Sequence, residues 1–132
     1  MKVFVPKALD KEGINLIPAF SSHVPEIIPM MEDFYKMFEY DFDEERATSV
    51  IRDLIKDQKI GRLWLIREEE ELIGYVALIF SYSLGYGRTG LLDEFYLVES
   101  HRSKGIGREI IEKVLNEAKK CSLHVSLLFI LL

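Results

Sequence analysis

Between Leu91 and Arg108 the chain reads Leu-Leu-Asp-Glu-Phe-Tyr-Leu-Val-Glu-Ser-His-Arg-Ser-Lys-Gly-Ile-Gly-Arg. This pattern predicts a strand carrying two adjacent carboxylates, Asp93 and Glu94, then a short glycine-containing loop, then a helix to about Lys120. A helix start of this kind leaves several backbone N–H groups without acceptors, and the helix dipole favours negative charge beside them. The run Arg102, Ser103, Lys104, Gly105, Ile106, Gly107, Arg108 is therefore suited to holding a pyrophosphate. Its two glycines remove Cβ atoms that would keep a ligand off the backbone. Arg102, Lys104 and Arg108 add positive charge, and in this setting phosphate binding explains them better than solvated surface charge does. Carboxylates inside a central strand are seldom kept without a partner, which favours a role for Asp93 and Glu94. In a regular strand their side chains would point to opposite faces, so only one could address a given site.

Other chemistries fit poorly. A P-loop requires Gly-Lys-Ser/Thr, whereas here Lys104 precedes Gly105 and Ile106 follows. A dinucleotide fingerprint requires a third glycine where Ile110 stands. No grouping of His, Cys and Asp has metal-ligand spacing, so no metal is expected. His101 lies beside the loop and His124 in a predicted core strand, and structural roles suit both. The single cysteine, Cys121, cannot form an internal disulfide and reads as a small apolar residue of a reducing compartment.

The elements that must position this loop can be read from the apolar spacing. Ile14 to Ala19 is predicted as the first strand. Ser21 and Ser22 can cap a helix starting near His23, with Ile27, Met30, Met31, Phe34 and Phe38 facing the core. Asp41 and Glu44 have capping-box spacing, and the second helix should run to about Asp57, burying Val50 and Leu54. Gly61–Arg67 and Leu72–Phe80 form a predicted hairpin around the acidic turn Glu68–Glu71. The segment 81–90 holds three glycines and two tyrosines and reads as a mobile loop. Ile110, Ile111, Val114, Leu115 and Ala118 mark one face of the third helix, and Leu123–Ile130 is the fifth strand. At 132 residues, with 48% hydrophobic and 30% charged residues, the chain is long enough for one globular core. A net charge of −5 does not favour a nucleic-acid partner and would suit a cationic substrate. The start of the chain has too short an apolar run for a signal peptide, and the apolar end, Ser126–Leu132, is far shorter than the ~20 residues of a membrane span. These features predict a cytoplasmic protein without a membrane partner.

The Arg-x-x-Gly-x-Gly pattern at 102–107, with Asp93–Leu97 directly upstream, resembles the acetyl-CoA loop of the GNAT superfamily of acyl-CoA-dependent N-acyltransferases. Phe42–Ala47, Gly61–Ile66, Ile73–Val76 and Tyr82–Gly87 are similar to one bacterial subgroup, so the likeness covers roughly residues 14 to 125. It implies an α/β fold with a mixed, mostly antiparallel sheet flanked by helices, in a domain spanning 14–132 after a short extension, 1–13. It also implies acetyl-CoA as cosubstrate and direct transfer of acetyl to a primary amine, a small molecule or peptide, in a ternary complex. The resemblance places backbone donors for the acetyl carbonyl and the pantetheine arm at Phe95, Tyr96 and Leu97, where strand four splays from strand five. It makes Asp93 the candidate base and Glu94 the candidate anion for the amine. Tyr35, among the aromatics Phe38, Tyr40 and Phe42, could wall the acceptor site, although packing alone explains the cluster. Tyr82 and Tyr86, on the segment entering strand four, are further acceptor-site candidates, with surface packing as the rival. A GNAT domain normally continues with a further helix and two strands, which often supply a cofactor-binding asparagine and a tyrosine that protonates the thiolate. Completion by another subunit, truncation, and an inactive, degenerate relative are the readings that follow, and an uncovered fifth strand invites pairing into a homodimer. A non-catalytic CoA-binding or dimerising module is the alternative to the enzyme.

Overall fold

The central strands are apolar on both sides, as a sheet covered on two faces requires, and each helix carries one apolar stripe. The computed structural model describes residues 13–121 and the backbone of 124–126. In chain order these form β1 (Ile14–Pro18), a 3-10 turn (Ser21–His23), α1 (Val24–Met37), α2 (Glu44–Lys56), β2 (Gly61–Glu68), β3 (Glu71–Ser83), β4 (Gly87–Leu97), a second 3-10 turn (Glu99–His101), α3 (Ile106–Lys120) and β5 (His124–Ser126). The sheet order is β1-β2-β3-β4-β5. The first four strands pair antiparallel, and β5 lies parallel to β4 after the α3 crossover. This is the mixed, mostly antiparallel α/β sheet that the sequence predicts. Among the described residues no helix is long and apolar enough to cross a membrane.

Each sheet face has its own core. On one, Ile110, Val114 and Ala118 of α3 pack on Leu16, Trp64, Ile66, Val76 and Leu78. On the other, Ile27 and Met30 of α1 and Ala47, Ile51 and Leu54 of α2 pack on Leu63, Leu65, Tyr75, Ala77 and Tyr96. The sheet is thus held from both sides.

Several local expectations are corrected. Ser21 and Ser22 do not cap α1. The His23 ring accepts the Phe20 N–H at 2.9 Å, closing a tighter 3-10 turn over the serines, and the α-helix starts at Val24. Asp43, not Asp41, caps α2, its carboxylate accepting the Arg46 N–H at 3.0 Å. Val50 is 52% exposed, because the space beneath it is a cavity rather than packed core. Segment 81–90 is not an irregular loop. β3 and β4 keep pairing through Ser81↔Thr89, Tyr82↔Arg88 and Ser83↔Gly87, so only Leu84–Tyr86 turn. Glycine and serine signal a loop by composition, but the adjacent strand satisfies their backbone groups and pairing wins. Only His124–Ser126 of the expected fifth strand are described, so the apolar run at 127–132 and the dimer edge predicted there lie outside the described residues. The extension predicted at 1–13 lies outside them too, apart from Gly13.

Candidate active site

A departure from the regular strand falls where the chemistry was expected. β4 pairs Leu78↔Leu92 and then Ala77↔Glu94, which leaves Asp93 as the extra residue of a β-bulge. Leu92 and Phe95, three residues apart, both pack on the α3 face. Asp93 and Glu94 between them both line a cavity on the opposite face. The expectation that only one carboxylate could address a site is therefore corrected: the bulge breaks the alternation, and both serve one cavity.

That cavity, about 160 Å³, lies between the sheet and the two helices α1 and α2. Its walls are mostly apolar, from Ile27, Met31, Val50, Ile51, Leu54, Leu63, Ala77 and Ile79. Tyr35, Tyr75, Asp93 and Glu94 form its polar part, and Asp41, Asp43 and Arg46 stand at its exposed rim.

The two carboxylates have different surroundings. Glu94 accepts the Tyr35 hydroxyl at 2.5 Å on one oxygen and the Tyr75 hydroxyl at 2.9 Å on the other. Burial pushes its pKa up, the two phenol donors pull it back, and the neighbouring Asp93 charge raises it again. Burial, and then the facing Glu94, push both phenols far above the ordinary tyrosine value, so they remain donors at any working pH. Asp93 keeps contact with solvent and has no hydrogen-bond donor among the described residues. The protein around it raises its pKa by desolvation alone. Glu94 is thus held in place by two donors, whereas Asp93 has none among the described residues, and burial raises the proton affinity of both.

The cradle at 102–108 is assembled by backbone conformation. Ser103 and Gly105 hold positive φ, at 61° and 84°, and Gly105 occupies the cap position of α3. Nothing lies within 4 Å of where a Gly105 Cβ would stand, so the space beside it is open. At Gly107 a Cβ would meet the Phe95 ring at 3.4 Å, an ordinary contact, so the first turn of α3 packs closely on β4 there. The side chains of Ser103, Lys104 and Arg108 are exposed around this turn, and Ile106 is half-buried against the α3-face core. The orphan N–H groups of the turn, the open space and the two cations fit a pyrophosphate.

Arg102 points elsewhere. Its Nε donates to the Leu97 carbonyl at 2.8 Å, its guanidinium stacks 5.5 Å over the Tyr96 ring, and Asp33 lies 3.9 Å away. Tyr96 in turn donates to Asp33 at 2.5 Å, and burial followed by this bond pushes its phenol up to about 12. Arg102 and Tyr96 therefore tie the cradle to α1. His101 is held by Glu68 at 2.7 Å and Ser100 at 2.9 Å, a structural clamp on the second 3-10 turn. The described pairing of β4 with β5 ends at Leu91↔Ser126, so the outer edge of Phe95, Tyr96 and Leu97 has no described partner strand. Val98 N–H is used on the Ile73 carbonyl, and by alternation the N–H groups of Leu97 and Phe95 point to that outer edge.

Of the tyrosines expected near an acceptor, Tyr35 lines the cavity and packs edge-on against Phe42, 5.5 Å away. Tyr82 and Tyr86 stand at the far end of the β3–β4 hairpin, 81% and 65% exposed, outside the cavity lining. Sequence reasoning missed Tyr75 as the second donor to Glu94 and Asp33 as the partner of Tyr96. Both depend on cross-strand and helix-to-sheet register, for which the chain carries no local signal. Among the described residues no three His, Cys, Asp or Glu side chains are grouped to hold a metal.

The same architecture recurs in solved structures. An integron cassette protein from the mobile metagenome of Cole Harbour Salt Marsh is 25% identical with a TM-score of 0.82, the match covering 92% of this chain and 78% of that one. A possible acetyltransferase from Clostridium difficile 630 is 17% identical with a TM-score of 0.78, over 91% of this chain and 81% of that one. A predicted acetyltransferase from Clostridium acetobutylicum, solved with acetyl-CoA, is 18% identical with a TM-score of 0.73, over 88% and 80%. These likenesses concern the fold. The family model for the acetyltransferase (GNAT) family matches residues 27–130, from the cavity wall of α1 through the bulge, the cradle and α3, and the chain belongs to that family.

Proposed function

We propose that the protein is an N-acetyltransferase that moves an acetyl group from acetyl-CoA to a primary amine in a ternary complex. The observation that carries this reading is the bulge at Asp93, which brings two carboxylates to one cavity on the strand that leads into the 102–108 turn. Acetyl-CoA, when bound, supplies an acyl thioester activated toward an amine. Ser103, Lys104, Arg108 and the backbone N–H groups of Gly105, Ile106 and Gly107 would hold its pyrophosphate. The outward N–H groups of Phe95 and Leu97 are donors for the pantetheine arm and for a carbonyl oxygen on which negative charge develops. The acceptor arrives as an ammonium ion, and Glu94, held by Tyr35 and Tyr75, fixes its charge. Asp93, with no competing donor and a raised proton affinity, takes the proton that must leave the nitrogen before it can attack.

Titration of acetyl-CoA into the purified chain, paired with turnover of Asp93→Asn, tests this. One-to-one micromolar binding, and a loss of about 10²–10⁴ in turnover with unchanged cofactor affinity, are the expected outcomes. An unaltered rate in Asp93→Asn would remove the base from Asp93, and a folded chain that fails to bind acetyl-CoA would remove the enzyme.

A further inference from the structure

The cavity that presents Asp93 and Glu94 also constrains what the amine can be. Apart from the exposed Asp41, Asp43 and Arg46 at the rim, its polar groups are Tyr35, Tyr75, Asp93 and Glu94, and the Tyr35 and Tyr75 hydroxyls are both engaged by Glu94. The rest of the lining is hydrocarbon, with Ile27, Met31, Val50, Ile51, Leu54 and Ile79 contributing. Hydroxyl or amino groups placed against that wall would lose water without gaining a partner. At the rim Asp43 is already paired with Arg46 at 3.5 Å and caps α2, so Asp41 is the one rim carboxylate of the lining left for a second cation. Size narrows the choice further. The volume of about 160 Å³ is close to that of an engineered apolar cavity, ~150 Å³, that accepts benzene.

We propose that the acceptor is a small primary monoamine with a compact apolar body, arylalkyl or branched alkyl, whose ammonium rests on Asp93 and Glu94; this rests on the acetyltransferase reading above. The apolar body fills the space between α1, α2 and the sheet, and the amine points at the bulge. Sugars bearing many hydroxyls and extended polyamines do not suit the wall.

Titration calorimetry of the full chain, with and without CoA, using 2-phenylethylamine and 1,4-diaminobutane as probes, tests the class directly. Binding of the arylalkyl amine at least tenfold tighter than the diamine is expected. Val50→Trp, at a half-exposed position that tolerates bulk, should narrow the entrance and weaken arylalkyl binding at least fivefold, with thermal unfolding confirming the fold. Equal or tighter binding of the diamine overturns the proposal. So does the absence of arylalkyl binding, with or without CoA, in a chain that binds acetyl-CoA. Arylalkyl binding by a chain that does not take acetyl-CoA upholds the amine site and overturns the acetyltransferase reading instead.

Discussion

Replacing Gly105 with glutamate, and separately with lysine, isolates the electrostatic role of the cradle from its geometry. Gly105 has φ 84° and nothing within 4 Å of an added Cβ, so neither side chain meets a clash. Both should be destabilised only by the left-handed strain of an L-residue, about 1–2 kcal/mol. That corresponds to a matched fall in unfolding temperature of roughly 5–10 °C. Their effects on a phosphate ligand should diverge. At ~7 Å and an effective dielectric of ~20, one unit-charge pair is worth about 2 kcal/mol, so exchanging a carboxylate for an ammonium is worth up to about 5 kcal/mol. Salt at ~0.15 M, with a Debye length near 8 Å, removes roughly half of this. About 2 kcal/mol remains, or a roughly thirtyfold difference in Kd. Calorimetric titration of acetyl-CoA into both variants at two salt concentrations measures it, with thermal melts confirming equal stability. Gly105→Lys should bind about thirtyfold more tightly than Gly105→Glu, and the gap should widen at low salt. Kd values within threefold of each other, in two folded variants, would refute the assignment of the cradle to a pyrophosphate.

Two further outcomes concern stability. Burial raises the folded pKa of Asp93 above its unfolded value, so the fold favours the protonated form. The stability this gives is full below the unfolded pKa and is lost as pH rises through the folded one. Asp93→Asn should therefore unfold at a higher temperature than the parent at pH 7 and at a similar temperature near pH 3. A lower melting temperature at pH 7 would contradict the desolvation argument. Gly74→Ala would bring a Cβ to 2.1 Å from the Tyr96 carbonyl on the paired strand, which cannot move aside as a side chain can. We expect a destabilisation of about 3 kcal/mol or more in urea titrations, since β3 and β4 must part immediately before the cradle.

Much of this arrangement was legible in the sequence because it rests on local rules. Apolar spacing located all three helices and the sheet strands, and Gly105 marked the turn because glycine takes its positive φ at little cost. The capping residues were misplaced by a few positions, since His23 and Asp43 compete with nearby hydroxyls and carboxylates for the same N–H groups and only their geometry decides. The 81–90 segment was misread because its composition is that of a loop while its backbone is paired.

The sequence by itself determined the fold family and marked the 102–108 turn and the two carboxylates as candidates, because each is encoded within a few consecutive residues. Only the tertiary structure decided that Asp93 and Glu94 share one cavity, that Tyr35 and Tyr75 clamp Glu94 while Asp93 has no donor among the described residues, and that Arg102 turns back onto Tyr96. A bulge depends on how one strand registers against its neighbour, and the hydroxyl of Tyr35 reaches Glu94 across 59 positions of chain. Such contacts follow from packing two helices on a sheet face, and no local pattern of residues specifies them.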